Sequence, residues 1–437
     1  MTISEGLGGA RASGKAPPVA TVPTGADANP PSERVSLALA PVSDFAAADA
    51  SRRLLKGAVE GLPEGRLAEQ LGSGRPLRVK LGIDPTAPDI HLGHLVVLDK
   101  LRAFQDAGHL VVLIIGDYTA RVGDPSGRSA ERPVLTEEEI EVNSRAFQEQ
   151  AFRVLDPDRT EVRRNSEWLA MSSDELFRLV RRFTVARLLE RDEFSRRMEG
   201  GQPISILELL YPVLQGYDSF AVEADVEIGG TDQKFNLLFG RDVQEALGQP
   251  PQSILTLPIL PGTDGVRRMG KSLGNYVGIT ETPGEMFGKL MSVPDGAMGE
   301  YYQLLLRNEV DPDRHPAEAK RELARRIVER FHGAEEATAA EERFDQLHVR
   351  REVPDDVAEA VVEGRGPNGS VHLPAVLSEQ FGISRSEARR LIEQGGVRIG
   401  GRAVRADRLD VPASELDGEV LQVGRRRHAR LRVAGKR

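Results

Sequence analysis

Cysteine is absent from all 437 residues of this sequence. Its absence excludes disulfide bonds, thiol nucleophiles and cysteine-ligated zinc, and it fits a reducing compartment, so we expect a cytoplasmic protein. The chain also lacks any run of about 18 apolar residues, the length that a membrane-spanning helix needs, so we expect no membrane partner. Hydrophobic residues nevertheless make up 40% of the chain, which is enough for large cores.

The first 42 residues have almost no aromatic residues and little periodicity, and they are rich in alanine, glycine, proline and serine. Such a composition predicts a disordered extension. A basic start followed by an apolar block is missing, so we do not expect a signal peptide.

Negative charge dominates, with a net charge of −9, but it is unevenly distributed. Residues 366–437 contain 14 Lys/Arg and 8 Asp/Glu, a local balance of +6, which leaves −15 for residues 1–365. A basic terminal module on an acidic body indicates a local contact with a polyanion, although an ordinary solvated surface is the alternative.

From residue 77 onward, short apolar runs alternate with longer amphipathic ones. The segments LRVKLGID, LVVLDKLRAFQDAG and HLVVLIIGD read as strand, helix and strand, which predicts a doubly wound, Rossmann-like α/β fold. We expect a sheet domain over 43–283 with a helical insertion at about 131–205, then an α-helical domain over 284–363. A linker over 364–370 and a small α+β domain over 371–437 complete the prediction. Upstream, helices are predicted over 44–60 and 64–71.

Two histidines follow the first of these strands in the segment PTAPDIHLGH. A helix beginning near Asp89 would place His91 and His94 on one face at its N-terminus, which suits an anionic ligand. The alternatives are two packing histidines or half of a zinc site, but His109 lies a strand-length away and no other ligand is near in sequence.

Several motifs together resemble a known family. HLGH (91–94) and RMGKS (268–272) resemble the two signatures of class I aminoacyl-tRNA synthetases, 174 residues apart from His94 to Arg268. The segments GIDPTAPDIHLGH, GDPSGR, YPVLQGYD and GGTDQKFN resemble the tyrosyl branch in particular, and the resemblance covers about residues 43–432. It implies an ATP-dependent tyrosine–tRNA ligase that forms tyrosyl-adenylate and then charges tRNA, acting as a homodimer. It also implies Mg²⁺ accompanying ATP and no metal held by the protein.

The resemblance assigns site residues one by one. It implies catalytic roles for Thr86, His91, His94, Arg128, Arg132, Arg268 and Lys271. It implies that ATP contacts Gly82, Asp84, His91, Gly93, His94, Gly230, Asp232, Met269 and Lys271. It implies that tyrosine contacts Asp124, Tyr211, Gln215, Asp218 and Gln233. The plainer alternatives are solvated loop charges for the arginines and an ordinary turn for GGTDQ.

Three of the tyrosine-binding candidates are spaced for one helix face. Tyr211, Gln215 and Asp218 stand at i, i+4 and i+7. By resemblance, Asp218 binds the phenolic hydroxyl, and a buried acceptor of this kind is left unpaired by phenylalanine, which is how tyrosyl-tRNA synthetases reject that substrate.

Three positions depart from the usual family pattern. Lys80 stands where many members have a tyrosine that makes a second bond to the phenol, so that second bond is in doubt. Arg268 replaces the first lysine of the second signature, and Gly270 replaces its serine. Arginine keeps the charge but differs in geometry from lysine, and we expect activity to survive.

The terminal module resembles a small RNA-binding domain named after a ribosomal small-subunit protein. Its predicted phosphate contacts are Arg385, Arg389, Arg390, Arg398, Arg425, Arg426 and Arg427. The helices before it would face the anticodon region. Two alternatives stay open at this point, a tryptophanyl-type synthetase and a non-catalytic RNA-binding paralogue. Exposed apolar positions in the insertion suit either a dimer contact or a local core.

Overall fold

The computed structural model of the protein describes residues 43–121, 135–350, 359–364, 366, 369–424 and 427–434. The predicted disordered extension over 1–42 lies outside the described residues. No helix in the described ranges is long and apolar enough to cross a membrane.

A six-stranded sheet forms the centre of the larger part of the chain. Its strands are β1 (Glu60–Leu62), β2 (Arg78–Ile83), β3 (Leu110–Ile115), β4 (Thr160–Arg164), β5 (Val226–Gly230) and β6 (Ser253–Leu257). Their order is β1-β6-β5-β2-β3-β4, and all neighbours are parallel except β1 and β6. The chain runs outward from β2 to β3 and β4, then returns to the other side of β2 with β5 and β6. The order therefore reverses between β2 and β5, the place where doubly wound folds bind ligands beyond the carboxyl ends of their strands.

Helices cover both faces of this sheet, because β2 and β3 are apolar along most of their length and must be buried on both sides. The helices are α1 (Asp44–Leu55), α2 (Arg66–Gly72), α3 (Leu92–Asp106), α4 (Glu137–Ala151), α5 (Ser166–Leu169), α6 (Ser173–Val180), α7 (Val185–Leu188), α8 (Asp192–Glu199), α9 (Ile206–Ala221) and α10 (Lys234–Ala246). The predicted doubly wound α/β architecture is confirmed.

Two predicted helix boundaries were wrong. The helix expected over 44–60 ends at Leu55, because Gly57 adopts a left-handed φ of 82° and residues 60–62 pair with β6. The helix expected from Asp89 begins at Leu92, because residue 91 is still extended and pairs with residue 278 as an isolated bridge.

The insertion predicted as helical contains a strand. β4 pairs in parallel with β3 from Thr160 to Arg164 and extends the sheet by one edge strand. Its sequence TEVRR has a single apolar residue, so it shows no strand alternation. The strand brings the residues that follow it, Asn165 to Trp168, to the edge of the sheet formed by the carboxyl ends of the parallel strands.

A helical region follows, as the pattern predicted, with α11 (Pro283–Met291), α12 (Met298–Tyr301), α13 (Pro316–His332) and α14 (Ala334–Phe344). Its apolar residues belong to the same buried cluster as those of the sheet, from Leu77 and Leu113 to Phe287 and Leu323.

The terminal module has its own buried cluster. Its elements are β7 (Glu359–Val362), β8 (Ser370–His372), α15 (Leu373–Phe381), α16 (Arg385–Glu393), β9 (Val397–Ile399), β10 (Arg402–Ala403), β11 (Asp410–Pro412), β12 (Val420–Val423) and β13 (Arg427–Val433). The main sheet has the order β10-β9-β12-β13-β7. Because β7 pairs in parallel with β13, residues 359–362 join this sheet from before the predicted linker, and the boundary expected at 363 divides a sheet.

Candidate active site

A cavity of about 280 Å³ opens at the reversal point between β2 and β5. Ten of the residues predicted for the site line it, namely Gly82, Asp84, Thr86, His94, Tyr211, Gln215, Asp218, Asp232, Gln233 and Arg268. They come from the ends of β2 and β5, from α3 and α9, and from the second signature. The fold thus brings together residues that are far apart in the sequence.

Asp84, directly after β2, is bonded to two hydroxyl groups on one side of the cavity. Tyr211 Oη donates to Asp84 Oδ2 at 2.9 Å, and Thr119 Oγ1 donates to Asp84 Oδ1 at 2.7 Å. Gly116 lies so close that any side chain there would overlap the same carboxylate. Asp84 therefore orients Tyr211 on α9, one of the predicted tyrosine-binding residues.

Asp218 lies deeper in the same cavity and is 4% exposed. Trp168 Nε1 donates to its Oδ1 at 2.8 Å, and Asn165 Nδ2 donates to its Oδ2 at 3.3 Å. Burial raises the pKa of Asp218 to about 6, while the ammonium group of Lys80 and these two donors act to lower it. At neutral pH the carboxylate is ionised, and each oxygen keeps a lone pair for a further donor.

Trp168 and Asn165 were missed in the sequence analysis. Both follow β4, the strand that the sequence pattern did not predict. Asn165 also donates to Thr119 Oγ1 at 2.9 Å. Trp168 is the only tryptophan of the chain, and its scarcity is the one signal that the sequence offered.

His91 and His94 form a stacked pair at the start of α3, with ring centroids 3.9 Å apart. His91 Nδ1 accepts from the Gly93 N–H, and His94 Nδ1 accepts from the His91 N–H, each at 3.2 Å. Burial lowers the pKa of both rings, that of His94 to about 4, and the charge of Lys271 lowers them further. Both rings are therefore neutral at pH 7, and because Nδ1 is an acceptor in each, the ring proton lies on Nε2. The pair offers N–H donors without positive charge.

Backbone pairing joins the two signatures. Leu92 N–H donates to Val277 O at 2.9 Å, and Ile279 N–H donates to Ile90 O at 3.0 Å. Asn275 holds the loop of the second signature in place, since its side chain accepts from the Gly270 N–H at 2.9 Å and donates to Arg268 O at 3.1 Å. The second signature is thus anchored beside the first across a long separation in sequence.

Both cations of the second signature are paired with carboxylates. Lys271 Nζ pairs with Asp89 Oδ2, just before the histidines. Arg268 NH1 lies 3.3 Å from Asp232 Oδ2, after β5. These pairs are partly exposed, so an anionic ligand can compete for either cation at small cost.

The turn after β5 approaches the cavity with its backbone. Gln233 Oε1 accepts from the Gly230 N–H at 3.1 Å and closes the turn. A side chain at position 229 would come within 2.7 Å of Gln233 Oε1 and 3.2 Å of Leu237. The glycine pair therefore lets the turn pack closely and brings Asp232 and Gln233 to the cavity wall.

The remaining predicted residues fall into two groups. His91, Gly93, Gly230, Met269 and Lys271 lie around the cavity without lining it. Asp124, Arg128 and Arg132 lie outside the described residues.

A larger cavity of about 500 Å³ lies between α1, α2 and the end of α3. Alanine and leucine side chains line much of it, and its arginines are paired with Asp49 and Asp225. None of the predicted site residues lines it, whereas ten of them line the smaller cavity.

On the terminal module, the predicted RNA contacts Arg385, Arg389 and Arg390 are exposed on or at the start of α16, and Arg398 and Arg427 are exposed on strands. Within the described part of the chain, none of these five pairs with a carboxylate, whereas Arg405, Arg408 and Arg432 do. Arg425 and Arg426 lie outside the described residues.

Known proteins match both parts of the chain. A family model described as tRNA synthetases class I (W and Y) matches residues 72–349, and one described as S4 domain matches residues 373–410. The chain is 50% identical to the tyrosine–tRNA ligase of Moorella thermoacetica over 398 residues, which cover 87% of this chain and 95% of the relative. It is 49% identical to the tyrosine–tRNA ligase of Bordetella avium over 380 residues, covering 84% and 91%.

The fold also matches a solved structure. The crystal structure of tyrosyl-tRNA synthetase from Aeropyrum pernix superposes with a TM-score of 0.55 and 21% identity, covering 69% of this chain and 99% of that chain. At this identity the likeness concerns the fold alone.

Proposed function

Because the chain belongs to the class I tRNA synthetases of the tryptophan and tyrosine group and acts as a tyrosine–tRNA ligase, we propose that the cavity between β2 and β5 binds tyrosine and joins it to ATP. The family predicted from the two signatures is confirmed, and so is the ligase activity. The relatives named above favour tyrosine over tryptophan and an enzyme over a non-catalytic paralogue.

The observation that carries the proposed pocket is the buried carboxylate of Asp218. An acceptor with two fixed donors and a spare lone pair on each oxygen suits a phenolic O–H, because a charge-assisted hydrogen bond is strong where water is excluded. Phenylalanine would fill the same space and leave this acceptor without its third donor, at a cost. Tyr211, Gln215, Gln233 and Asp124 would surround the ammonium end of the substrate.

The proposed reaction is an in-line attack of the tyrosine carboxylate on the α-phosphate of ATP. Charge then develops on the phosphoryl oxygens and on the departing pyrophosphate, so catalysis depends on positioning and electrostatic stabilisation. The neutral rings of His91 and His94 would donate from Nε2 to phosphate oxygens, and Thr86 would donate its hydroxyl beside them. Gly82, Asp84, Gly93, Gly230, Asp232 and Met269 would hold the nucleoside.

The second signature would supply positive charge during the reaction. Arg268 and Lys271 would exchange Asp232 and Asp89 for the phosphates, and Arg128 and Arg132 would approach from the loop after β3. Cations that reach the phosphates mainly in the transition state raise kcat more than ground-state affinity. Mg²⁺ would arrive with ATP as part of the substrate.

We also propose that tRNA binds along the exposed arginines of α16 and the neighbouring strands, that the protein works in the cytoplasm and that it forms a homodimer. Large apolar side chains are exposed on and between α6 and α9, a segment rich in charge, and they suit an interface between copies. They are Phe177, Val185, Met198, Ile206 and Leu207. Other apolar residues of this segment, Leu179 and Leu188, are buried against α9 and α10 in a local core.

Pyrophosphate exchange tests the proposed pocket. ATP is incubated with labelled pyrophosphate and with tyrosine, phenylalanine or tryptophan, and label entering ATP is measured for each. We expect exchange with tyrosine only. Exchange with none of the three would contradict adenylate formation in the cavity, and a preference for tryptophan would contradict the role of Asp218.

A further inference from the structure

Lys80 lies in the middle of β2 and is completely buried. Its side chain does not line the cavity, and its ammonium group instead reaches helix α9 behind the cavity wall. Nζ donates to Gln215 O at 3.0 Å, to Ser219 Oγ at 2.8 Å and to Glu227 Oε1 at 2.8 Å. All three ammonium hydrogens are therefore used.

Glu227 is the Cα partner of Lys80 on the neighbouring strand β5 and is 1% exposed. Its Oε1 also accepts from Gln215 Nε2 at 3.1 Å, and its Oε2 accepts from Ser219 Oγ at 3.1 Å and from Gln252 Nε2. The carboxylate thus receives four hydrogen bonds, so the buried pair is fully satisfied, which is the condition for such a network to order its surroundings.

This network determines which way the Gln215 amide points. A carboxylate can only accept, so the NH₂ end of Gln215 must face Glu227. Its carbonyl end accepts from Asn236 Nδ2 at 2.9 Å and keeps one lone pair for a ligand. Gln215 lines the cavity, where that lone pair suits the tyrosine ammonium group.

Close packing of α9 on α10 supports the same network. A side chain at Gly216 would come within 2.6 Å of Val243, and one at Gly240 within 2.8 Å of Gln252 Nε2 and 3.1 Å of Glu227 Oε2. The two glycines allow the helices to close over the buried pair, and the turn from 215 to 219 that Lys80 holds includes Asp218.

We propose that Lys80 and Glu227 are positioning residues for tyrosine recognition, which fix the amide of Gln215 and hold the turn that carries Asp218. The inference rests on the proposed tyrosine pocket. It explains how a lysine replaces a tyrosine in β2 without entering the pocket, because the lysine acts on two pocket residues from behind.

The test compares Lys80→Met, Glu227→Gln and the double variant. Each single change leaves one buried charge unpaired and should lower the melting temperature. The double change is neutral in charge and close in volume, so it should recover most of the melting temperature. It should not recover recognition, because the amide introduced at position 227 can offer Gln215 either its donor or its acceptor end. For the double variant in pyrophosphate exchange, we expect the KM for tyrosine to rise about tenfold and the KM for ATP to stay within about twofold of the wild-type value.

Lys100→Met is the matched control, since Lys100 is also a buried lysine, and its ammonium group donates to Leu54 O at 2.7 Å and to Lys56 O at 2.6 Å at the end of α1. It should lose thermal stability and keep the KM for tyrosine. A double variant with a wild-type KM for tyrosine would overturn the inference, because the pair would then serve the fold alone. A double variant that stays as unstable as the single variants would also overturn it, because a raised KM would then follow from general loss of structure and not from the orientation of Gln215. Absence of tyrosine-dependent exchange in the unmodified protein would instead contradict the proposed pocket.

Discussion

Replacing Asp218 with asparagine removes a negative charge and one acceptor from the cavity while it keeps the size of the side chain. The carboxylate accepts from Trp168 and Asn165, one on each oxygen. Asparagine has one acceptor oxygen, so one of these donors, or the phenol of tyrosine, must lose its partner.

The cost for tyrosine follows from the kind of bond that is lost. A hydrogen bond to a charged group contributes about 1.5–3 kcal/mol, which corresponds to a decrease of roughly 10- to 150-fold in kcat/KM. Phenylalanine makes no such bond, so its kcat/KM should stay the same or rise. Selectivity for tyrosine should therefore fall by at least the same factor.

The effect of this substitution on folding should be small, because two contributions oppose each other. Burial raises the pKa of Asp218 to about 6 from a reference of 3.8, so keeping it ionised at pH 7 costs the fold about 3 kcal/mol. Asparagine removes that cost and leaves one buried donor unsatisfied, which costs about 1–3 kcal/mol. The free energy of unfolding should thus change little.

Pyrophosphate exchange measures kcat/KM for tyrosine and for phenylalanine, and thermal unfolding measures the change in folding stability. Asp174→Asn is a control, because Asp174 is exposed on α6 and pairs only with Arg178 within the described residues. Unchanged kcat/KM for tyrosine, or an equal loss for both amino acids, would refute the role of Asp218 in reading the hydroxyl.

Three further outcomes are expected. The kcat/KM for tyrosine, relative to that for phenylalanine, should fall as the pH drops through about 6, because protonation of Asp218 removes the charged acceptor. The charge of Lys80 opposes this protonation and that of Glu227 favours it. A ratio that stays flat from about pH 7 to about pH 5 would contradict the role of Asp218. Gly270→Ser should keep kcat within about twofold, since a side chain there would meet only Leu273 at 4.0 Å; a large loss in pyrophosphate exchange would show that the loop needs glycine. The double variant Arg389→Ala, Arg390→Ala should raise the KM for tRNA and lower the slope of log binding constant against log salt concentration by about two. Pyrophosphate exchange without tRNA should stay constant. A wild-type charging rate at limiting tRNA would show that α16 does not contact the RNA.

The sequence pattern predicts the centre of the fold well and its edge poorly. β2, α3 and β3 are long and strongly apolar or periodic, so their type could be read directly. β4 has charged residues on either side of Val162, because an edge strand is covered less completely than a central one. The consequence is larger than one missing strand, since Asn165 and Trp168 depend on β4 for their place beside Asp218.

The histidine pair shows a different limit of sequence reasoning. Its position at a helix start beside an anion site could be predicted from HLGH and the preceding strand. Its protonation state could not, because this depends on burial and on the charge of Lys271 from the second signature. Phe147 helps to bury His94, with its ring edge-on and the two ring centroids 6.1 Å apart. These groups reach the pair only through tertiary packing.

At Lys80, the structure changes the interpretation that the sequence suggested. By resemblance alone, the lysine looked like a lost bond to the phenol of tyrosine. Its full burial requires a compensating charge, since an isolated ammonium group in a protein interior costs several kcal/mol. Glu227 supplies it from the next strand, in register, and no spacing in the sequence could reveal a pairing across 147 residues. On the inference drawn above, Lys80 contributes to tyrosine recognition through Gln215 and the turn that carries Asp218, and not through direct contact with the substrate.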